Sequence, residues 1–526
     1  MTSFFNSTRW RTYGLWLMPV LLLVLSAARP LSLPDEGRYA EVARWMWMTG
    51  DWLTPRIDGI PFFHKPPLLY WFEVVSIAVW GATPWAARFV VALHACLMLG
   101  VTFVCARAIA GDVVARRASW ILACSMTFLV AGQYVNHDMV VASWMSSAIW
   151  CFARAFTQPS GVHVGWARAG FIACALGVMS KGLIGLLLPG LVLFVWIAVT
   201  VQWRKILQLP WFSGLALFTL IALPWFVLAA REHPDMLAYM FGKHQFGRYT
   251  ATTFNNARPW WFYGVAVTVL LFPWIFFVIA DGLHRLRHWT QQEDRSVATL
   301  CWIWVLAILI FFSIPNSKLM GYALPVVPAL AVLAAVYWQR SVVAWRWASA
   351  AFATLCVVGI SVAAVANHLA GKYTLQRSAQ GVAEALVCHA ASSDVVAVVD
   401  DFPYDLLFYA KREQPIEVIQ HWEREQEQAG DDWRRELMDG VAFDKKSGDV
   451  LKPYSRLAEL KTQPNAWVLA PRWLPAFSEA PYAGLQEIYR DQAWILYRGV
   501  SPHSSLSIAS KSPEATEQKS LGRCKN

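Results

Sequence analysis

Residues 33–71 read LPDEGRYAEVARWMWMTGDWLTPRIDGIPFFHKPPLLYW. This stretch gathers Asp35, Glu36, Arg38, Glu41, Arg44, Asp51, Arg56, Asp58, His64 and Lys65 directly after an apolar run at 13–28. Charge this dense beside a membrane span must face water or a polar cavity, because an ionised group in hydrocarbon is costly.

The rest of the chain supplies the membrane. Its 526 residues are 57% hydrophobic and only 15% charged, with a mean hydropathy of +0.38, too apolar for a soluble domain of this length. Many of the 30 Trp end apolar runs, where an amphipathic ring suits the headgroup region. The net charge of +10 comes from Lys and Arg scattered in short connections, without the basic stripe of a nucleic-acid binder. Seven of nine cysteines lie inside apolar runs, Cys388 and Cys524 outside, so no disulfide framework is expected. Neither a phosphate-binding GxxxxGK[ST] loop nor a GxGxxG fingerprint occurs, which argues against ATP and NAD chemistry.

A helix needs about 20 apolar residues to cross the hydrocarbon. About eleven runs qualify: 13–28, 86–106, 117–133, 139–156, 167–179, 183–201, 210–230, 259–281, 297–313, 323–338 and 345–367. The first, with Arg9 and Arg11 ahead of it, has the form of a signal h-region and is read as a retained span. The stretch 66–81 is read as a membrane-surface helix, though counting it and other interrupted runs would allow up to thirteen crossings. Basic residues favour cytoplasmic loops, and here they mark alternate connections: Arg107, Arg116 and Arg117; Arg154; Arg204 and Lys205; Arg285 and Arg287; Arg340. The N-terminus is therefore expected inside. The outer set is then the opening stretch, Asn136-His137-Asp138, Ser180-Lys181-Gly182, 231–259 and 314–322.

The fold expected is a polytopic α-helical membrane protein with a C-terminal soluble α/β domain. From about Lys372 the apolar runs shorten to 395–399, 466–469 and 493–497, with helical pattern between them. The expected division is a transmembrane domain with outer loops at 1–371, a periplasmic domain at 372–500 and a disordered tail at 501–526.

Each notable residue of the outer loops has an ordinary explanation. Asp35 can cap the helix that starts at Glu36, and Lys65, before Pro66-Pro67, can be an interfacial anchor. Asp138 can cap a span, Lys181 can sit in a turn, and Lys243, His244 and Arg248 can be solvated. Together, however, they bring carboxylates, cations and His to one membrane face. Cations there neutralise a phosphate, and a carboxylate orients or deprotonates an acceptor. An anionic, membrane-bound substrate is the expectation.

Over roughly residues 10–340 the chain resembles the integral-membrane GT-C glycosyltransferases, specifically the aminoarabinose-to-lipid-A transferases and the protein O-mannosyltransferases. The resemblance rests on Pro34-Asp35-Glu36-Gly37-Arg38-Tyr39-Ala40-Glu41 and Phe63-His64-Lys65-Pro66, separated by Gly50-Asp51-Trp52. Supporting matches are Asp138-Met139, Ser180-Lys181-Gly182, 244–248 followed by Pro259-Trp260-Trp261-Phe262-Tyr263, and Ser317-Lys318-Leu319 to Pro325. It implies a sugar moved from a polyprenyl-phosphate donor to a lipid, glycan or protein acceptor on the periplasmic face of the inner membrane, with inversion. It also implies roles: Asp35 as the catalytic carboxylate and Asp138 as a second acid near the sugar; Lys65 and Arg248 on the donor phosphate. Arg38 would position Asp35 or touch that phosphate, and Glu36, His64, Lys181, His244 and Tyr322 would line the cavity. No cofactor is required; a divalent cation on His64, His244 and Tyr322 stays open, because His64 stands where the aminoarabinose enzymes have Glu. The partners expected are the donor, the acceptor and membrane lipids, with no nucleic acid. The rival from another class is a flippase for lipid-linked sugars, which predicts polar residues deep within spans and two matching halves.

Overall fold

The structure is a computed structural model that describes residues 8–27, 29–158, 161–247, 256–288, 296–428 and 430–501. Arg248 and the tail from 502 onward lie outside the described residues. The chain divides into two compact units that do not follow sequence order. The first comprises Met1–Ala28, His64–Leu69 and Arg88–His368; the second comprises Arg29–Phe63, Tyr70–Ala87 and the chain from Leu369.

The first unit is helical, and every apolar run expected within it falls on a helix. Among the described residues, five helices are long and apolar enough to cross a membrane: Pro84–Ala110, His137–Phe156, Trp211–Glu232, Met320–Ser341 and Ala348–Leu375. Shorter apolar helices accompany them, among them Gly14–Leu25, Leu68–Trp80, Ile184–Val199, Phe262–Leu271 and Val297–Ser313. The run expected at 117–133 is bent by 51° between Asp112–Ala123 and Met126–Gln133. There the Ser125 hydroxyl accepts from Phe128 N at 3.3 Å and starts a new helix, as an N-cap does. The run at 259–281 breaks before Pro273: Phe272 is extended, with φ −58° and ψ 137°, because a residue preceding proline is pushed out of the helical region.

Burial separates a central helix from peripheral ones. The apolar window of His137–Phe156 is 89% buried, whereas those of Trp211–Glu232 and Ala348–Leu375 are 28% and 22% buried. The latter two carry the apolar surface suited to lipid. Close helix approach depends on small residues, as expected where lipid tails are as apolar as side chains. A Cβ on Gly185 would lie 2.1 Å from the Gly177 carbonyl carbon, and one on Gly359 would lie 2.4 Å from Cys124 O. Buried Asp281 ties three helices together: it accepts from Arg285 Nε and Trp302 Nε1, each at 2.9 Å, and from Arg340 Nη2 at 3.2 Å.

In the second unit the chain from Val395 builds a six-stranded sheet: β3 Val395–Val399, β4 Glu417–Ile419, β5 Leu451–Lys452, β6 Ala466–Pro471, β7 Gln486–Arg490 and β8 Trp494–Arg498, numbered after the two strands described next. Its order is β5-β4-β3-β6-β8-β7; the first four run parallel, β8 is antiparallel to β6, and β7 is antiparallel to β8. β3 and β6 are almost wholly buried, as parallel strands covered on both faces are. Among the described residues seven cysteines are free thiols. Cys388, by contrast, is disulfide-bonded.

The stretch 29–63 is an integral part of this α/β unit. Helix Asp35–Thr49 ends at Gly50, whose φ of 70° is the left-handed cap that glycine allows. A hairpin of β1 Arg56–Ile57 and β2 Ile60–Pro61 follows. Its turn, Asp58-Gly59, has positive φ at both residues, 52° and 78°, the geometry for which Asp-Gly is suited. Leu31 N donates to Tyr409 Oη at 2.8 Å, Ile416 N donates to Asp58 Oδ1 at 2.8 Å, and Arg44 Nη2 donates to Arg412 O at 2.8 Å. A Cβ on Gly440 would lie 2.4 Å from Pro61 O. Much of the charge in the opening stretch therefore binds it to residues beyond 369.

The carboxylate of Asp405 lies buried in this unit, accepting from Ser378 Oγ at 2.8 Å and from Ala379 N at 3.1 Å. Burial pushes its carboxyl up to about 7, while these bonds pull the other way. Its proton is thus held more tightly folded than unfolded. The stabilisation is complete below the unfolded value near 3.8 and is lost as pH rises towards 7, at up to about 1 kcal/mol per pH unit. Thermal unfolding in detergent, followed by tryptophan fluorescence, should fall between about pH 5 and 7, and Asp405→Asn should lessen that slope, the remainder coming from Asp401, which burial pushes up to about 6. An unchanged slope would exclude Asp405 as its source.

Candidate functional site

The polar cluster of the first unit is assembled from helix ends. Asn136 caps the central helix, its Oδ1 accepting from Asp138 N at 3.1 Å, which places Asp138 in the first turn, where the helix dipole favours an anion. Lys181 closes helix Val164–Lys181, and a cation is favoured there for the converse reason. The two form an ion pair, with their side chains only 10% and 12% exposed. Lys181 Nζ also lies 4.5 Å from the centre of the Tyr322 ring, a cation–π distance. Gly321 makes this possible: a Cβ there would sit 2.0 Å from Asp138 Oδ2.

The turn after Lys181 is held by the long outer loop. Leu183 N donates to Gln245 Oε1 at 3.1 Å, and a side chain on Gly182 would collide with Gln245 Nε2 at 2.0 Å. Gln245 belongs to a wide π-helical segment, Ala238–Gly247, which also carries Tyr239 and His244. Tyr239 Oη lies 2.9 Å from His64 Nε2, the His64 and His244 ring centres are 4.2 Å apart, and those of Tyr239 and His244 are 4.6 Å apart. Lys65 and Lys181 both act electrostatically on His137, beside Asp138.

The second unit holds Asp35, Glu36 and Arg38. Asp35 is half-buried and begins its helix. Glu36 is fully buried, ion-paired with Arg29 and bonded to Ser32 N at 2.8 Å. Arg38 Nη1 donates to Glu436 Oε1 at 2.8 Å, and its guanidinium carbon lies 4.6 Å from the centre of the Tyr404 ring. Tyr404 Oη donates to the other Glu436 oxygen at 2.5 Å. Burial pushes the Glu436 carboxyl up, and Arg38 and Tyr404 draw it back. Burial likewise works against the Arg38 charge, but Glu436 foremost holds that guanidinium well above its ordinary value.

Of the residues singled out in the sequence, the first unit thus brings together Asp138, Lys181 and Tyr322, and separately His64 and His244. It sets Tyr239, not Tyr322, with the two histidines, while the Tyr322 ring lies tilted against Phe312, centres 4.9 Å apart, beneath the Lys181 ammonium. A cation already over Tyr322 makes the expected His64–His244–Tyr322 set a poor fit for a divalent ion. Among the described residues no group of three or more His, Cys, Asp or Glu is arranged to hold a metal. Sequence reasoning missed Tyr239, Tyr404 and Glu436. The last lies 398 residues from Arg38 along the chain, and no local pattern signals such a pairing.

Comparison with known proteins places these clusters in context. The family described as dolichyl-phosphate-mannose-protein mannosyltransferase matches residues 34–240. The chain is 30% identical over 332 residues to an undecaprenyl phosphate-alpha-4-amino-4-deoxy-L-arabinose arabinosyl transferase of Pseudomonas fluorescens, covering 60% of this chain and 59% of the relative. It is 30% identical to the corresponding transferase of Aeromonas hydrophila over 66% of each chain. The chain thus spans about three fifths of the length of the first of these relatives. In structure it matches ArnT of Cupriavidus metallidurans, solved bound to undecaprenyl phosphate, with a TM-score of 0.77 and 24% identity over 96% of this chain and 100% of that one. An oligosaccharyltransferase of Archaeoglobus fulgidus matches at a TM-score of 0.53 and 13% identity, over 95% of this chain and 76% of that one. The chain has helices long and apolar enough to cross a membrane and the GT-C fold seen in ArnT, and in sequence it resembles the aminoarabinose transferases and the protein O-mannosyltransferases.

Proposed function

We propose that the chain is an inner-membrane glycosyltransferase that moves a sugar from a polyprenyl-phosphate donor to a lipid, glycan or protein acceptor on the periplasmic face, with inversion. In this reading about eleven helices cross the membrane, the N-terminus is cytoplasmic and the α/β domain from about 372 to 500 is periplasmic. The observation that carries it is the gathering of Asp138, Lys181 and Tyr322 at helix ends, with Lys65 acting on the adjacent His137. Charges at the ends of spans suit a site at the membrane surface, whereas a transport path needs them in depth.

A phosphate monoester leaves readily when cations take up its charge, so no separate general acid is needed. Lys65 and Arg248 supply that charge. The reacting sugar becomes oxocarbenium-like, and a nearby carboxylate stabilises it. Asp138 is that carboxylate, held in place by Lys181. Asp35 orients or deprotonates the acceptor.

Purified full-length protein in detergent, supplied with donor and acceptor lipids extracted from envelopes of a deletion strain, should form the glycosylated product that strain lacks. A flippase would form none, since detergent leaves no second compartment. Asp138→Asn should lower the rate by about 100-fold or more. A wild-type rate for that variant would remove Asp138 from the mechanism. Mass spectrometry of the product identifies sugar and acceptor together.

A further inference from the structure

In the α/β unit the connection that leaves β3 runs to β4 and on to β5, after which the chain crosses to β6 on the other side of β3 and leaves it towards β7 and β8. The carboxyl ends of the neighbouring parallel strands β3 and β6 thus send their connections in opposite directions. In an open α/β sheet the crevice outside two such ends is where ligands bind. We propose that this crevice is a binding site for a neutral sugar ring, with Asp400 and Asp401 after β3 and Trp473 after β6 as its main contacts. Assigning that sugar to the acceptor rests on the reading of the chain as a glycosyltransferase; the site itself does not.

The two carboxylates are held as a ligand would require. Asp400 has a φ of 61°, in the left-handed region, where side chains sit at a cost that functional sites tend to bear. Tyr454 Oη donates to its Oδ2 at 2.7 Å, and among the described residues its Oδ1 accepts no hydrogen bond. Asp401 is only 8% exposed. Burial pushes its carboxyl up to about 6, while the Phe402 N–H, Arg434, Trp473 and Arg377 pull it the other way. It is therefore an anion at neutral pH, and a buried anion is costly for a turn that only ends a strand.

The chemistry of the crevice selects the ligand. Nucleotide-binding sheets carry glycines after the first strand, so that the backbone reaches a phosphate. Here that place reads Asp400-Asp401-Phe402-Pro403: two carboxylates repel a phosphate, and the proline has no N–H to offer. A cationic ligand is opposed by Arg377 and Arg434, both close enough to act on Asp401. Carboxylate acceptors beside guanidinium donors suit a neutral molecule whose hydroxyls can donate to one and accept from the other. Flat apolar surface comes from the partly buried rings of Trp473 and Tyr454. A sugar ring offers both a C–H face and a hydroxyl edge.

The test uses full-length protein in nanodiscs, freed of sugar-headed detergent, and a panel of neutral hexose and N-acetylhexosamine disaccharides as probes. Saturation-transfer NMR should show contact with at least one of them, and a tryptophan-fluorescence titration gives its Kd. Asp400→Asn keeps the left-handed turn, which Asn tolerates, and should weaken binding by about 10- to 100-fold through loss of a charged acceptor, with its thermal melt unchanged. Glu487→Gln on β7, away from the crevice, and Asp138→Asn in the first unit should bind as the wild type does. Saturation transfer to none of the probes, a wild-type Kd for Asp400→Asn, or tighter binding of a phosphorylated sugar than of its neutral parent would each overturn the proposal. So would a loss of binding in Asp138→Asn equal to that in Asp400→Asn. In the product assay, Asp400→Asn should raise the KM for acceptor-lipid extract by about tenfold or more. A rise in the donor KM instead would overturn the assignment to the acceptor. If the wild type binds sugar but forms no glycosylated product, the glycosyltransferase reading fails and the sugar site stands.

Discussion

Asp35→Asn should insert and fold as the wild type does yet lose sugar transfer, by about 100- to 10,000-fold if the carboxylate serves as general base. The substitution keeps volume while removing charge and basicity. Asp35 is half-buried at the first turn of its helix, so the neutral amide forfeits a modest interaction with the helix dipole, roughly 0.5 kcal/mol. A large rate loss with a small stability loss is therefore the expected signature. Its size also reports on the acceptor. A hydroxyl acceptor must give up a proton and needs a base, whereas a phosphate acceptor is already ionised and needs only orientation. The second case predicts a smaller loss, about tenfold to a hundredfold. Product formation by purified variant, set beside its thermal melt, measures both quantities. A wild-type rate would remove Asp35 from the chemistry.

The second large effect is on stability. Arg44 and Glu41 are buried together in the second unit, with side chains 4% and 1% exposed. Arg44 Nε and Nη2 each reach a Glu41 oxygen at 2.7 Å, and Nη2 continues to Arg412 O at 2.8 Å. Arg44→Met strands a carboxylate away from water and cuts the link from the opening helix to the chain beyond 369. The cost should be about 3–5 kcal/mol, or a fall of about 10 °C in the melting of that unit. Adding Glu41→Met to Arg44→Met should restore much of the loss, since an apolar pair of similar volume carries no desolvation cost. Recovery in the double variant would identify the stranded charge as the cause. If Arg44→Met melts within about 1 °C of wild type, the pair contributes little.

These two cases mark how far the sequence could be read. The apolar runs were legible because spanning a membrane is a summed property of about 20 consecutive residues, and each run in the first unit falls on a helix. The breaks in two of them were harder to see. Pro273 stood in plain view, but whether its run bends or continues depends on the packing around it. The motif residues of the opening stretch were legible as chemistry through spacing, and Asp138 and Lys181, 43 residues apart, do meet. What spacing could not assign was the partner of each charge. Glu36 goes to Arg29, Glu41 to Arg44 and Arg38 to Glu436. Tyr239, on the π-helical segment 238–247, and not Tyr322 lies beside His64.

By itself the sequence determined that this chain is built of membrane helices, that its charge gathers in the loops between them, and that residues 33–71 hold more charged side chains than any other such loop. Those properties are local, set by the transfer free energies of neighbouring side chains. Only the tertiary structure decided that residues 33–63 of this loop belong with the α/β unit while His64–Leu69 belongs with the first unit, and that the charges of the former are mostly paired there. Ion pairing acts over a few ångströms in space and is blind to distance along the chain, as the 398 residues between Arg38 and Glu436 show.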